Sequence, residues 1–251
     1  MPFGMSAYDP DARAYIAAVE RADAQPLESA VAEAFNQFVA GCKADGIFGA
    51  IQASCILMGA RTLAGALTPL VGSAPTNNGP FVSGDYNRRG LVGNGTTKYL
   101  DTGRNNNADS QNNNHNAVYV QAFNGNNFNV IGAADPFNET GANSFGLTAA
   151  GVFFARNRSS AAFTALVAPA AGFLGVSRAA STGYTYRFSG ATATHTQASQ
   201  TPSNRNVIVY SRTTAAQSPS RIAFYSVGGA IDLALLDARV SALYTAINNA
   251  V

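Results

Sequence analysis

Carboxylates are the first place to look for chemistry, and this 251-residue chain has few of them. Its glutamates are Glu20, Glu28, Glu33 and Glu139, three of them near the N-terminus. A glycoside hydrolase needs two carboxyl groups flanking the scissile bond. Within residues 81–230 the chain offers Glu139 with Asp85, Asp101, Asp109 and Asp135, and these show no pairing pattern. His115 and His195 are the only histidines; each could be drawn into a Ser-His-Asp arrangement, but no G-x-S-x-G elbow precedes a helix. Two histidines and two cysteines, Cys42 and Cys55, do not make a clustered zinc site. The residues therefore predict no catalytic group, no metal and no cofactor, with a glycan hydrolase as the enzymatic alternative.

The most unusual local feature is a pair of asparagine tracts, Asn105-Asn106-Asn107 and Asn112-Asn113-Asn114, around Asp109 and Gln111. Amides and a carboxylate can bond sugar hydroxyls, while Tyr99 or Tyr119 stacks on a pyranose face. The candidate glycan contacts are Asn105, Asn106, Asp109, Gln111, Asn113 and Tyr119. The competing reading is a long connection whose asparagines take up turns and left-handed conformations at low cost.

Such a loop must be held by strands. From Phe81 onward the apolar runs are short, rich in aromatic and β-branched residues, and punctuated by Gly, Asn, Ser and Pro. Strands are predicted at 99–101, 116–123, 129–132, 144–148, 152–156, 162–167, 172–178, 182–189, 191–197, 206–211 and 222–227. The clearest alternation puts Tyr184, Tyr186 and Phe188 on one face. Many short strands without intervening helices predict an antiparallel β-sandwich.

Helices are predicted on either side. Asp9-Pro10-Asp11 is a helix start, with a capping acid and Pro at the first helical position. Leu27, Val31, Phe35, Phe38 and Cys42 form an apolar stripe at helical spacing, closed by Gly46. A third helix is expected over 47–58 and a fourth over 62–70. After Asp232, the residues Leu236, Val240, Leu243 and Ile247 mark a C-terminal amphipathic helix. The expected division is a helical attachment or oligomerisation region (1–72), a linker (73–80), the sandwich (81–230) and the final helix (231–251).

Composition narrows the function classes. Hydrophobic residues make up 47% of the chain and charged ones 12%, so amides and hydroxyls supply much of the polarity. Sixteen basic and fourteen acidic residues leave a net charge of +2 without any basic run, which disfavours nucleic acid. Arg61 and Pro69 interrupt the apolar stretch 47–71, so no membrane span is expected. The N-terminal Met-Pro-Phe-Gly-Met lacks the basic and apolar regions of a secretory signal. Cys42 and Cys55 are expected as buried free thiols.

Gly90-Leu91-Val92-Gly93-Asn94-Gly95-Thr96-Thr97-Lys98-Tyr99-Leu100-Asp101 resembles the opening strand of concanavalin-like, laminin-G-like sandwiches. Gly175-Val176-Ser177-Arg178 with Tyr184-Thr185-Tyr186-Arg187 resembles their central hairpin, and 222–232 their last strand leading into a short helix. Behind the helical segment 38–46, this order of motifs is similar to virion proteins of tailed bacteriophages, including cyanophages and related marine phages. The resemblance covers most of the chain and implies a concanavalin-like jelly roll, mainly β, in a particle-associated, non-enzymatic protein. On that basis the expected role is a tail-fibre or appendage subunit with a lectin-like domain for host-surface glycans. A homo-oligomer, a trimer by analogy with fibres, would attach to other virion proteins through the N-terminal helices. The alternative is a capsid decoration protein. Some laminin-G and legume-lectin relatives hold calcium in a loop. The nearest equivalent here, Asp135-Pro136-Phe137-Asn138-Glu139, has three oxygen-bearing side chains where calcium takes about six to eight oxygens. Solvated turn residues are the expectation there.

Overall fold

The computed structural model describes residues 8–251. Its centre is two antiparallel sheets packed face to face, so the predicted β-sandwich with N-terminal helices and a C-terminal helix is the observed fold. One sheet has nine strands. Along its main path run β14 (Ala191–Thr196), β13 (Gly183–Phe188), β12 (Gly172–Arg178), β7 (Asn114–Ala122), β16 (Arg221–Gly228), β1 (Ile51–Ile56) and β2 (Pro69–Val71). Two short strands, β4 (Tyr86–Asn87) and β5 (Gly90–Val92), join it through β16. The other sheet has seven, in the order β11 (Phe163–Thr164), β10 (Phe153–Asn157), β9 (Asn143–Leu147), β8 (Phe128–Ala133), β15 (Asn206–Val209), β6 (Tyr99–Asn105) and β3 (Thr76–Asn78).

Strand alternation fills the space between the sheets. Val118 and Val120 of β7, Leu174 and Val176 of β12, and Tyr225 and Val227 of β16 meet Leu100, Phe145, Phe153, Val207 and Val209 of the opposite sheet. All eleven predicted strands are present, 162–167 shrinking to the two residues of β11.

The nine-stranded sheet carries a second core on its other face. There Ala117, Phe173, Ala223 and Phe224 pack under α1 (Pro10–Asp23), α2 (Ser29–Ala44) and α4 (Leu233–Ala250). Phe38 of α2 meets Phe224 edge-on at 5.6 Å. The caps follow the predicted chemistry: Asp9 accepts from the Asp11 amide, and Asp232 from those of Ala234 and Leu235.

The expected helix over 47–58 is instead mostly strand β1, hydrogen-bonded between β16 and β2. Being covered on both faces, it shows Ile51, Ala53, Cys55 and Ile56 buried without simple alternation. A short, doubly buried strand and a buried helix look alike by periodicity. The expected helix over 62–70 is one turn, α3 (Leu63–Ala66), capped by Thr62, after which Pro69 opens β2. The segment 73–80 contains β3, so strands begin before the expected linker and continue through it. Cys42 and Cys55 are both buried free thiols. No helix among the described residues is long and apolar enough to cross a membrane.

Candidate functional site

The seven-stranded sheet has an outer face without a helical layer. On β6, inward Leu100 and Thr102 are buried, which turns Tyr99, Asp101 and Asn105 outward. On β15, inward Val207 and Val209 leave Asn206 and Ile208 on that same outer face. With Asn204, Arg205, Pro136 and Arg212 these residues line a cavity of about 430 Å³. Asn206 Nδ2 lies 3.1 and 3.2 Å from the two Asp101 oxygens, and Asn105 Nδ2 donates to Asn204 Oδ1 at 2.9 Å. The carboxylate and amides are therefore oriented before any ligand arrives. Arg205 is tied to Asp135 at 2.6 Å, and this guanidinium, after the Phe137 amide, holds the Asp135 carboxyl below its usual range. At the tip of the same loop, next to Pro136, Phe137 is 95% exposed.

A second cavity of about 410 Å³ adjoins the first and shares Arg212 and Thr213 with it. Its lining includes Phe154 and Arg156 of β10, Asn129 of β8, and Asn127 and Thr148. Glu139 forms ion pairs with both Arg156 and Arg212. A third cavity, about 560 Å³, lies at the other sheet beside the start of α4, lined mostly by Thr, Ala and Gly of the β12–β14 region. Its one acid, Asp232, is occupied as a helix cap.

The predicted glycan contacts are dispersed by this architecture. Asn105 lines the first cavity. Asn106 is buried, its amide donating to the Gly141 carbonyl (3.0 Å) and Ser203 (3.1 Å). Asp109 is held by Arg104 at 2.6 Å, Gln111 donates to Ser199 at 2.8 Å, and Asn113 accepts from the Ala230 amide at 2.6 Å. Tyr119 is turned to the helical side of the nine-stranded sheet and stacks on Tyr244 of α4 at 4.6 Å. It is therefore not brought together with the asparagine loop, because odd-numbered positions of β7 face the helices. The loop's groups mostly fasten the end of the sandwich. Two buried arginines help: Arg158 donates to the carbonyls of Asn106 and Ser110, and Arg178 to that of Asn157 (2.7 Å).

The candidate calcium loop is likewise engaged, with Asp135 on Arg205, Asn138 accepting from the Thr140 amide, and Glu139 on two arginines. Among the described residues no group of three or more His, Cys, Asp or Glu could hold a metal ion. His115 does meet a serine: Nε2 lies 2.7 Å from Ser226 Oγ, and Nδ1 2.5 Å from the Gly229 carbonyl. A carbonyl only accepts, so Nδ1 carries the hydrogen and Nε2 accepts from the serine. Burial pushes this imidazole down to about 4. Both side chains are fully buried and no carboxylate orients the ring, so the pair is a structural clasp.

Sequence reasoning passed over Asn204, Arg205, Asn206, Arg212, Phe154 and Arg156. One signal was available: alternation over 206–209 sends Asn206 and Ile208 to the face opposite Val207 and Val209.

No family model and no curated protein sequence matches the chain. Solved structures similar to it are β-sandwich domains. Mouse laminin α1 domains LG4-5 match at 10% identity with a TM-score of 0.36, over 52% of this chain and 39% of that one. Domain 4 of an extracellular arabinanase from Geobacillus stearothermophilus, in complex with arabinotriose, matches at 14% with a TM-score of 0.41, over 67% and 82%. The Ruminococcus gnavus sialidase carbohydrate-binding module bound to sialyllactose matches at 15% with a TM-score of 0.36, over 50% and 80%. The chain thus spans about two fifths of the laminin structure it resembles, and what it shares with these proteins is the sandwich fold.

Proposed function

We propose that this protein is a non-enzymatic glycan-binding β-sandwich whose contact surface is the open face of the seven-stranded sheet. The observation that carries this reading is the cavity in which Tyr99 adjoins Asp101, Asn206, Asn105 and Asn204. A sugar ring has an apolar C–H face and a rim of hydroxyls that both donate and accept. An aromatic side chain suits the first; a carboxylate with fixed amides suits the second. Phe137, adjacent in the chain to the lining residue Pro136, is a fully exposed ring.

Binding without hydrolysis is supported by the distribution of acids. The first cavity has Asp101 as its acidic lining residue, the third Asp232, and the second has none. None of these cavities sets two carboxyl groups across a bond, as glycosidic cleavage requires. In keeping with the sequence resemblance, the biological setting of this reading is a phage tail-fibre or appendage subunit. It would display the open face to host-surface glycans, while the helices join it to other virion proteins.

The test uses the intact chain on an oligosaccharide array and on host cells. Saturable binding that is lost in Tyr99→Ala and Asn206→Ala but kept in Asp109→Ala and Asn113→Ala supports the reading. Release of reducing ends would overturn the non-enzymatic part. Binding unchanged in Tyr99→Ala and Asn206→Ala would remove the site. Copy number that follows capsid symmetry, without cell adsorption, would replace the fibre role with capsid decoration.

A further inference from the structure

The two adjoining cavities on the open face differ in charge. The first contains Asp101, held by the Asn206 amide, beside Arg205, whose charge Asp135 neutralises, and Arg212, which it shares with the second. In the second, Arg156 and Arg212 line the wall without any acidic lining residue. Both arginines share one carboxylate, that of Glu139, which leaves an excess positive charge. Arg156 is largely shielded from water, and burial together with the neighbouring Arg212 lowers its affinity for its proton. Arg156 Nε, Asn129 Oδ1 and Thr148 Oγ1 are buried with no hydrogen-bond partner among the described residues. Phe154 is on the same wall.

Two guanidiniums that share one carboxylate, beside an aromatic ring, fit one kind of ligand on a glycan-binding face. We infer that the open face takes acidic oligosaccharides, with a sugar carboxylate at Arg156 and Arg212 and a neutral neighbouring residue at Tyr99 and Asp101. This inference rests on the glycan-binding reading above and adds the substrate class and its orientation. Guanidinium is suited to the role because its planar fork meets a carboxylate with two parallel hydrogen bonds. The incoming carboxylate competes with Glu139 for the arginines, so Glu139 sets how strongly the acid is preferred. Arg212, which lines both cavities, spans the junction between the two sugar positions.

The experiment is calorimetric titration of the full chain with an oligogalacturonate, a sulfated oligosaccharide and a neutral oligosaccharide of the same length. The expected result is tightest binding of the uronate, weakening with added salt. Arg156→Gln, at a residue that lines only the second cavity, should lower uronate affinity about tenfold and leave the neutral sugar unchanged, as loss of one charge-assisted contact predicts. Glu139→Gln should raise uronate affinity, an effect that damage to the fold would not produce. Equal affinity for uronate and neutral sugar, or an Arg156→Gln loss common to both, overturns the inference while leaving glycan binding intact. Preference for the sulfated sugar overturns the carboxylate assignment. Binding of no sugar at all removes this inference and the glycan-binding reading together.

Discussion

The two sheets of the sandwich present opposite outer faces to their surroundings. On the nine-stranded sheet, Ala117, Phe173, Ala223 and Phe224 are buried under α1, α2 and α4. On the seven-stranded sheet, the corresponding outward positions are Tyr99, Asp101, Asn105, Asn206, Phe154 and Arg156, and they line cavities. Both inner faces need apolar residues to make the shared core, so the difference lies in alternate residues of each strand, except where an irregularity in β16 turns both Ala223 and Phe224 towards the helices. A sandwich thereby separates its tasks by residue parity: one outer face serves stability, the other is available for recognition.

The sharpest way to break this contrast is to truncate one aromatic on each face. Phe224→Ala should cost about 3–5 kcal/mol in urea unfolding, because it opens a cavity beneath Phe38. Tyr99→Ala should cost less, about 1 kcal/mol, because Tyr99 is only partly buried against the edge of the core. Equal losses at the two positions would end the division of labour. Next in size is a pH effect confined to the helix-covered side. His115 is held neutral down to about 4, whereas the unfolded chain protonates it near 6.5. Its folded affinity for protons is depressed, so the unfolded state binds more protons between those values. Stability should therefore fall as pH drops from about 6.5 towards 4, by about 3 kcal/mol in all. His115→Gln should flatten that part of the stability–pH curve; an unchanged slope would place the titration elsewhere. Smallest is the cap of α4: Asp232→Ala should lower stability by about 1 kcal/mol and leave glycan affinity alone, since Asp232 is remote in the fold from the open face.

Much of this division was legible from the sequence where a strand has one wet face. The aromatic alternation of β13, partly open to solvent, places Tyr184 in the core. Helices α1, α2 and α4 announced themselves by their caps and stripes. Legibility failed where burial is two-sided, as in β1, because periodicity then vanishes. It failed differently at the site. Asn105 lines the open face, but Tyr119 is separated from it by the full thickness of the sandwich, and local sequence does not say which covered face an odd residue of β7 will meet. Arg212 and Arg156 come from segments distant in the chain and meet through Glu139, a juxtaposition that only the fold creates.

The position of β1 also bears on how the chain reaches this structure. Cys55 is aligned with Tyr225, whose hydroxyl lies 3.3 Å from its sulfur across a separation of 170 residues. Closing so long a loop delays the pairing, and folds dominated by such contacts form slowly. On a ribosome, the early segment 51–56 must wait for β16 to be synthesised before its edge is satisfied. Cutting the chain at 73–80 would leave β16 without that neighbour and expose a hydrogen-bonding edge that invites aggregation. Residues 51–56 and 221–228 therefore belong to one cooperative folding unit, and any soluble fragment bearing the recognition face has to carry both.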